Sequence, residues 1–323
     1  VSDRAPLGGN SGTDGRSGAV DVRTAEAPPS PIAPVPEVPE RQRRRVWKRR
    51  RGTGRPNVLA GVLATIWLIV VAVPLYFLVS ASFRTRADYL SDNPLAPPPE
   101  PTLENYATVL TGDFPTYLLN TLIVTIATIA IVVALTVPAA YAVARNAGRI
   151  VQRGFSLMLV GLAIPAQAAI IPVYLMITQL RLYDTLLAII LPTAAFAMPV
   201  ALLVMTNSLR DIPRELYEAQ TLDGAGPFKA LRHLVLPLAK PAITTVAVFT
   251  SLTAWNGFLF PLVLTQSVDT RVLTLGLWDY QGQFGTNVPA LLAAVTLSVI
   301  PIFVLYLFGR RYLLSGLTAG AGK

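Results

Sequence analysis

Apolar residues in this chain fall into six blocks, over about 58–81, 117–144, 155–178, 185–208, 238–265 and 288–307, with polar connections between them. A helix that crosses a bilayer needs about 20 predominantly apolar residues, and each block reaches that length. The pattern predicts an all-α polytopic membrane protein with six transmembrane helices. The first block exceeds the roughly 7–15 apolar residues of a secretory signal. It is therefore expected to remain as an anchor, although Val79-Ser80-Ala81 has the form of a cleavage site. Residues 1–40 are rich in Gly, Pro, Ala and Ser and lack periodicity, the composition of a disordered segment. Arg41 to Arg55 then carry nine Lys or Arg residues. The expected division is a disordered, then polybasic, cytoplasmic tail over 1–55 and a transmembrane domain over 56–323.

Charge orients the six helices. Cytoplasmic loops of membrane proteins concentrate Lys and Arg. Of the 27 Lys and Arg residues, only Arg84, Arg86, Arg181 and Arg271 fall in the loops that alternate to the outside. Those same loops hold Asp88, Asp92, Glu100, Glu104, Asp113, Asp184, Asp269 and Asp279. Both termini are thus expected in the cytoplasm, as is the charged loop between the fourth and fifth helices. The net charge of +9 would point to nucleic acid in a soluble chain. Here the bases flank apolar blocks, so membrane topology and lipid head groups account for them and no nucleic-acid partner is expected.

With 14% charged residues, one His and no Cys, the chain has little with which to do covalent chemistry. Thiolate metal sites, disulfides and multi-histidine metal sites are excluded, and no acid lies within the six blocks to form a catalytic pair. No G-x-x-x-x-G-K-[ST] phosphate loop occurs, so the chain is expected to be neither an enzyme nor a nucleotide binder. Proton-coupled carriers place ionisable groups inside the bilayer, and that lack weakens a carrier reading. Pro138, Pro165, Pro172, Pro192, Pro199, Pro261 and Pro301 sit within the blocks. They fit hinged helices around a gated pathway as well as ordinary membrane-helix usage. Asn120, Gln167, Asn207, Trp255 and Asn256 are the polar or aromatic residues that could face a pathway. Interhelical hydrogen bonding, or interface anchoring for Trp255, is the more ordinary explanation of each.

The loop Glu215–Pro237, ELYEAQTLDGAGPFKALRHLVLP, is the most specific stretch. Pro213 can open a helix with Glu215 and Glu218 near its positive end. Gly224 and Gly226 stop it, and Pro227 can open a second helix with Lys229 and Arg232 toward its C-terminus. Glu218-Ala219, Gly224 six positions after the Glu, then Leu234, Leu236 and Pro237, resemble the EAA loop of ATP-binding-cassette importers. The spacing is kept, with Gln220 at the second Ala and Leu234 at the Ile of that signature. PTLENYATVL, NTLIVTIATIA and IPAQAAIIPVYLMITQLRLYDTLLAIILP are similar to the carbohydrate-uptake permeases of that superfamily. The ending GRRYLLSGLTAGAGK resembles the tail of the six-span permease subunit of maltose transporters.

The resemblance implies a permease subunit of an ATP-driven importer for a sugar or oligosaccharide in a bacterial plasma membrane. It implies a second permease subunit, two cytoplasmic ATPase subunits that use ATP and Mg, and an extracytoplasmic solute-binding protein. The loop would be a cytoplasmic coupling helix, with Glu218, Ala219, Asp223 and Gly224 carrying ATPase docking; at Gly224 a side chain would block backbone approach. Gly316, Leu317, Thr318, Ala319 and Gly320 would reach the ATPase interface, and Gln281, Gly282 and Gln283 the binding protein. The same architecture serving a non-sugar solute such as glycerol phosphate, a secondary carrier, and a scaffold without a pathway are the alternatives.

Overall fold

Each apolar block becomes helix, and proline decides where the helices bend. In this computed structural model of the protein, residues 58–91, 93–145, 148–282 and 285–319 are described. The expected tail, 1–55, lies outside them, as do Asp92, Gln283 and Gly320. From Val62 onward the chain forms one packed unit, and Val58–Gly61 belongs to the unit before it.

The helices are α1 (Val58–Ser82), α2 (Arg86–Ser91), α3 (Glu104–Thr111), α4 (Phe114–Ala144), α5 (Arg149–Val160), α6 (Ala166–Gln179) and α7 (Leu186–Arg210). They continue with α8 (Arg214–Leu222), α9 (Pro227–Ala230), a π turn over Leu231–Val235, α10 (Leu236–Leu238), α11 (Lys240–Trp255), α12 (Leu259–Leu264), α13 (Leu273–Gly276) and α14 (Val288–Ala319). A two-residue hairpin pairs β1 (Gln281–Gly282) with β2 (Gly285–Thr286), and the rest of the regular structure is helical.

Among the described residues, α1, α4 and α7 are each long and apolar enough to cross a membrane alone. Two of the expected straight segments are broken. The third turns through 109° between Arg149–Ala163 and Ala166–Gln179. Its break is at Ile164-Pro165, both extended (ψ 110° and 138°), because the Pro ring forces the preceding residue out of the helical region. The fifth, expected over 238–265, is preceded by a 75° turn between Pro227–Leu238 and Lys240–Trp255, at the expected end of the charged loop. Pro237 and Pro241 flank that bend and remove two helix donors one turn apart. Its helix also stops at Trp255 rather than running to Thr265, and Leu259–Leu264 form a separate turn. Lys240 lies inside the expected fifth segment, but it opens α11 as an exposed residue. Val288–Val304, the described apolar part of α14, opens a helix that continues to Ala319.

The core lies among α4, α7 and α11. Ala140 and Val137 of α4, Ala194, Ala197, Ala201, Leu202 and Met205 of α7, and Ala242 and Val246 of α11 form one buried cluster. Small residues let helix backbones approach closely where lipid offers no hydrophobic driving force between helices. By contrast, α1 is apolar all round and unburied over its membrane-length window, as a lipid-facing helix must be. A second cluster joins Phe114 and Tyr117 of α4 to Trp255, Leu273 and Ala293. Gly276 of α13 sits directly against the Tyr117 ring, where a Cβ would overlap it.

The turn between α6 and α7 is tied to the segment after α12. Arg181 and Asp184 both have positive φ, 58° and 60°. The Asp184 carboxylate accepts from the Gln266 and Ser267 amides at 2.8 and 3.1 Å and from the Thr270 hydroxyl at 2.6 Å. The Gln266 amide, then the Thr270 hydroxyl, pull the Asp184 carboxyl down to about 2 against an ordinary 3.8. A depressed acid stabilises the fold above its unfolded pKa, and that contribution is lost as pH falls through the folded value. Asp184→Asn should therefore raise amide exchange at Gln266 and Ser267 by roughly tenfold near neutral pH, the loss of one charge-assisted hydrogen bond. The gap between wild type and variant should close as pH drops from 4 toward 2; a constant gap would show that charge is not the cause.

Candidate functional site

The charged loop begins with α8, where Pro213 precedes the helix as its N-cap and Glu215 lies in the first turn. Its end is a Schellman motif. The Ala225 amide donates to the Gln220 carbonyl (2.9 Å) and the Gly224 amide to that of Thr221 (3.0 Å). Gly224 takes φ +73°, the left-handed value this motif needs. A Cβ built there meets nothing within 4 Å. Within this chain it is backbone conformation that demands glycine at this turn. The second helix opens at Pro227 and runs to Leu238 through a π turn, with Lys229 in α9 and Arg232 in that turn.

The two sides of α8 differ. Glu215, Glu218, Ala219 and Leu222 follow the i, i+3, i+4, i+7 spacing of one helix face, and all four are exposed. Leu222 is 89% exposed, and Phe228 across the turn is 75% exposed. On the other side Tyr217 is 4% exposed and joins the α4–α7–α11 core. Its ring stacks on Tyr141 at 6.1 Å, and the Arg145 guanidinium lies 4.5 Å from its centroid. Burial pushes the Tyr217 phenol above its ordinary value, the nearby Tyr141 adds to this, and Arg145 partly opposes it. The loop's far end is held likewise, by buried Ala230, Val235 and Ala239. The result is an exposed ridge of acid and apolar residues bolted to the bundle at both ends.

Comparison with known proteins places this architecture. The model of the family described as binding-protein-dependent transport system inner membrane component matches residues 136–318. The chain belongs to that family. It is 37% identical over 262 residues to a putative ABC transporter permease protein, ORF2, of Caldicellulosiruptor sp., covering 81% of this chain and 95% of that one. It is 32% identical to the diacetylchitobiose uptake system permease protein DasC of Streptomyces coelicolor, over 83% of this chain and 96% of that one. It is also 32% identical to the trehalose/maltose transport system permease protein MalG of Thermococcus litoralis, over 83% of this chain and 99% of that one. A chain from the crystal structure of a bacterial ABC transporter involved in alginate import shares the fold, with a TM-score of 0.70 at 21% identity over 79% of this chain and 95% of that one.

In this permease the other residues singled out from sequence are scattered. Asn120 is buried and donates to the carbonyls of Asp269 (2.7 Å) and Arg271 (2.9 Å). Asn256 donates to the Leu252 carbonyl of its own helix, and Trp255 is buried in the second cluster. Gln167 and Asn207 are exposed. Gln281 and Gly282 form β1, and Gly316–Ala319 end α14. Leu222 and Phe228 of the ridge were not foreseen. The signal was available: Leu222 lies four positions after Glu218, on the same face.

Substitution at Gly224 should separate backbone strain from contact. A non-glycine residue in the left-handed region costs about 1–2 kcal/mol, less for Asn. Gly224→Ala should raise Ala225 amide exchange by roughly fivefold or more, and Gly224→Asn by clearly less. Equal effects of the two would mean that the positive φ is not the constraint.

Proposed function

We propose that this permease is the transmembrane subunit of an ATP-driven importer for a sugar or oligosaccharide, forms half of the translocation pathway, and is driven by a separate ATPase that docks on α8. The observation that carries the docking is the exposed Glu218–Ala219–Leu222 ridge, opposed to a buried Tyr217. Exposed apolar side chains rimmed by charge mark interaction surfaces. A ridge anchored in the core also moves with the bundle. The carbohydrate class is supported by the names of the relatives, among them uptake systems for diacetylchitobiose and for trehalose or maltose.

In this reading the chain crosses six times, through α1, α4, the bent pair α5–α6, α7, α11 and α14. Both termini and α8 face the cytoplasm. Its partners are a second permease subunit, two ATPase subunits, a solute-binding protein outside the membrane, and lipid. The chain itself binds no cofactor, and ATP and Mg act in the ATPase. Closure of the ATPase pair favours one bundle state over another to the extent that its affinity for α8 differs between them. Gln167 and Asn207, exposed within the helices, are the pathway residues this reading favours. Asp223 and Gly224 shape the ridge's edge, and the Gly316–Gly320 segment is assigned to the ATPase interface.

A mild-detergent pull-down of the tagged chain tests the docking. An ATPase and a second permease should copurify with the wild type, and the ATPase should be lost from Glu218→Lys. In cells, Glu218→Lys and Gly224→Asp should reduce solute uptake to background with unchanged membrane insertion. A chain that purifies alone and transports when reconstituted alone would be a secondary carrier, which would overturn the proposal.

A further inference from the structure

Beside the ridge, and sharing Glu218 with it, lies a recess of about 800 Å³. It is walled by the C-terminal end of α4 at Arg145, the end of α7 at Arg210, Gln152 of α5, and Arg214, Tyr217 and Glu218 of α8. Arg214 and Tyr217, three residues apart, share one side of α8. Three arginines thus line one cavity with a single acidic residue, Glu218. None of the three is ion-paired or hydrogen-bonded through its guanidinium to a described residue.

Helix-end cations complement the macrodipole, and this accounts for Arg145 and Arg210 being basic. It does not account for their posture. Arg145 lies over the Tyr217 ring and Arg210 is 5.9 Å from the Phe155 centroid. A guanidinium held by its face on an aromatic ring keeps its edge donors available, in the planar fork that matches phosphate oxygens. A second observation points the same way. The Tyr217 hydroxyl, in a residue 4% exposed, is buried without a hydrogen-bond partner among the described residues. An unmet buried donor is unfavourable unless a ligand or water completes it, and burial keeps this phenol protonated and able to donate.

We infer that this recess is a binding site for a phosphate-ester anion, held by Arg145, Arg210 and Arg214 with Tyr217 at its wall. Its volume is in the range of small-molecule sites, roughly 300–1,000 Å³, and takes a sugar phosphate or a phospholipid head group. The site does not depend on the docking reading and can fail or hold independently of it.

The test uses the full chain in nanodiscs and the rate at which phenylglyoxal modifies each arginine, read by peptide mass spectrometry. One arm has phosphatidylcholine discs with glucose 6-phosphate, against chloride at equal ionic strength. The other has discs containing phosphatidylglycerol and no soluble phosphate ester. Arg145, Arg210 and Arg214 should be protected together, by roughly tenfold for the loss of a charge-assisted hydrogen bond's worth of access. Exposed Arg153 of α5 should not be. Protection in the first arm identifies a soluble ester as the source, and in the second a lipid. Tyr217→Phe should weaken the protection without lowering Tm. Equal rates in every arm, equal protection of Arg153, or protection only after an ATPase is added would overturn the assignment. Because the rates are read on the unaltered chain, the result stands even where a variant folds poorly.

Discussion

The permease rests on the close approach of α4, α7 and α11 along a seam of small residues. In hydrocarbon, helices gain little by hiding apolar surface from lipid that is equally apolar. What remains is dispersion between backbones that can come near each other, and alanine permits that. Ala140, Ala194, Ala197, Ala201 and Ala242 supply the seam. Thr136 keeps its hydroxyl within its own backbone, on the Val132 carbonyl at 2.7 Å, whereas those of Thr125, Thr128, Thr206 and Thr250 are buried without a partner among the described residues. Tyr217 is the one aromatic residue from the charged loop in this cluster. A seam this close transmits displacement, since packed interiors do not deform smoothly.

Proline works against that regularity and sets the shape of the remaining segments. Pro192 and Pro199 lie inside α7 without breaking it, and both are buried among neighbouring helices. Pro165 and Pro237 are exposed and Pro241 is half-buried, and there the chain turns through 109° and 75°. The same residue type is absorbed in one place and decisive in another. The difference is whether neighbouring helices hold the flanking turns in line. The elbow at Pro165 also leaves an apolar recess beside Gly161, Phe196 and Pro199.

Much of this was legible in the sequence, because apolar block length and the EAA-like spacing are local signals. The broken segments were not: the sequence places prolines but not the packing that decides between tolerance and fracture. The loop's turn could be read from Gly224. An equivalent Schellman turn at the end of α6 could not, since there the positive φ falls on Arg181, with its amide bonded to Thr178 and that of Leu182 to Ile177. Chemistry fixes that turn from a distance, through the Asp184 carboxylate and residues more than eighty positions away. Asn120 was equally opaque, because its carbonyl partners lie about 150 positions along the chain. Residue type predicts a hydrogen bond but not whether a solute or the protein receives it.

The same distinction bears on α8. One helical turn carries Arg214 and Tyr217 toward a basic recess and Ala219 toward an open ridge, with Glu218 on the border of both, so the proposed ATPase and the proposed anion would meet one element from adjoining sides. An anion that bridges Arg145, Arg210 and Arg214 ties the ends of α4 and α7 to α8. Such a tie favours whichever bundle state brings the three guanidinium groups closest together, and by linkage that state binds the anion more tightly. Occupancy alone changes nothing if the three ends keep their spacing throughout the transport cycle. Regulation through this recess therefore requires relative movement of α4 and α7 at their charged ends, which the alanine seam must permit while it holds.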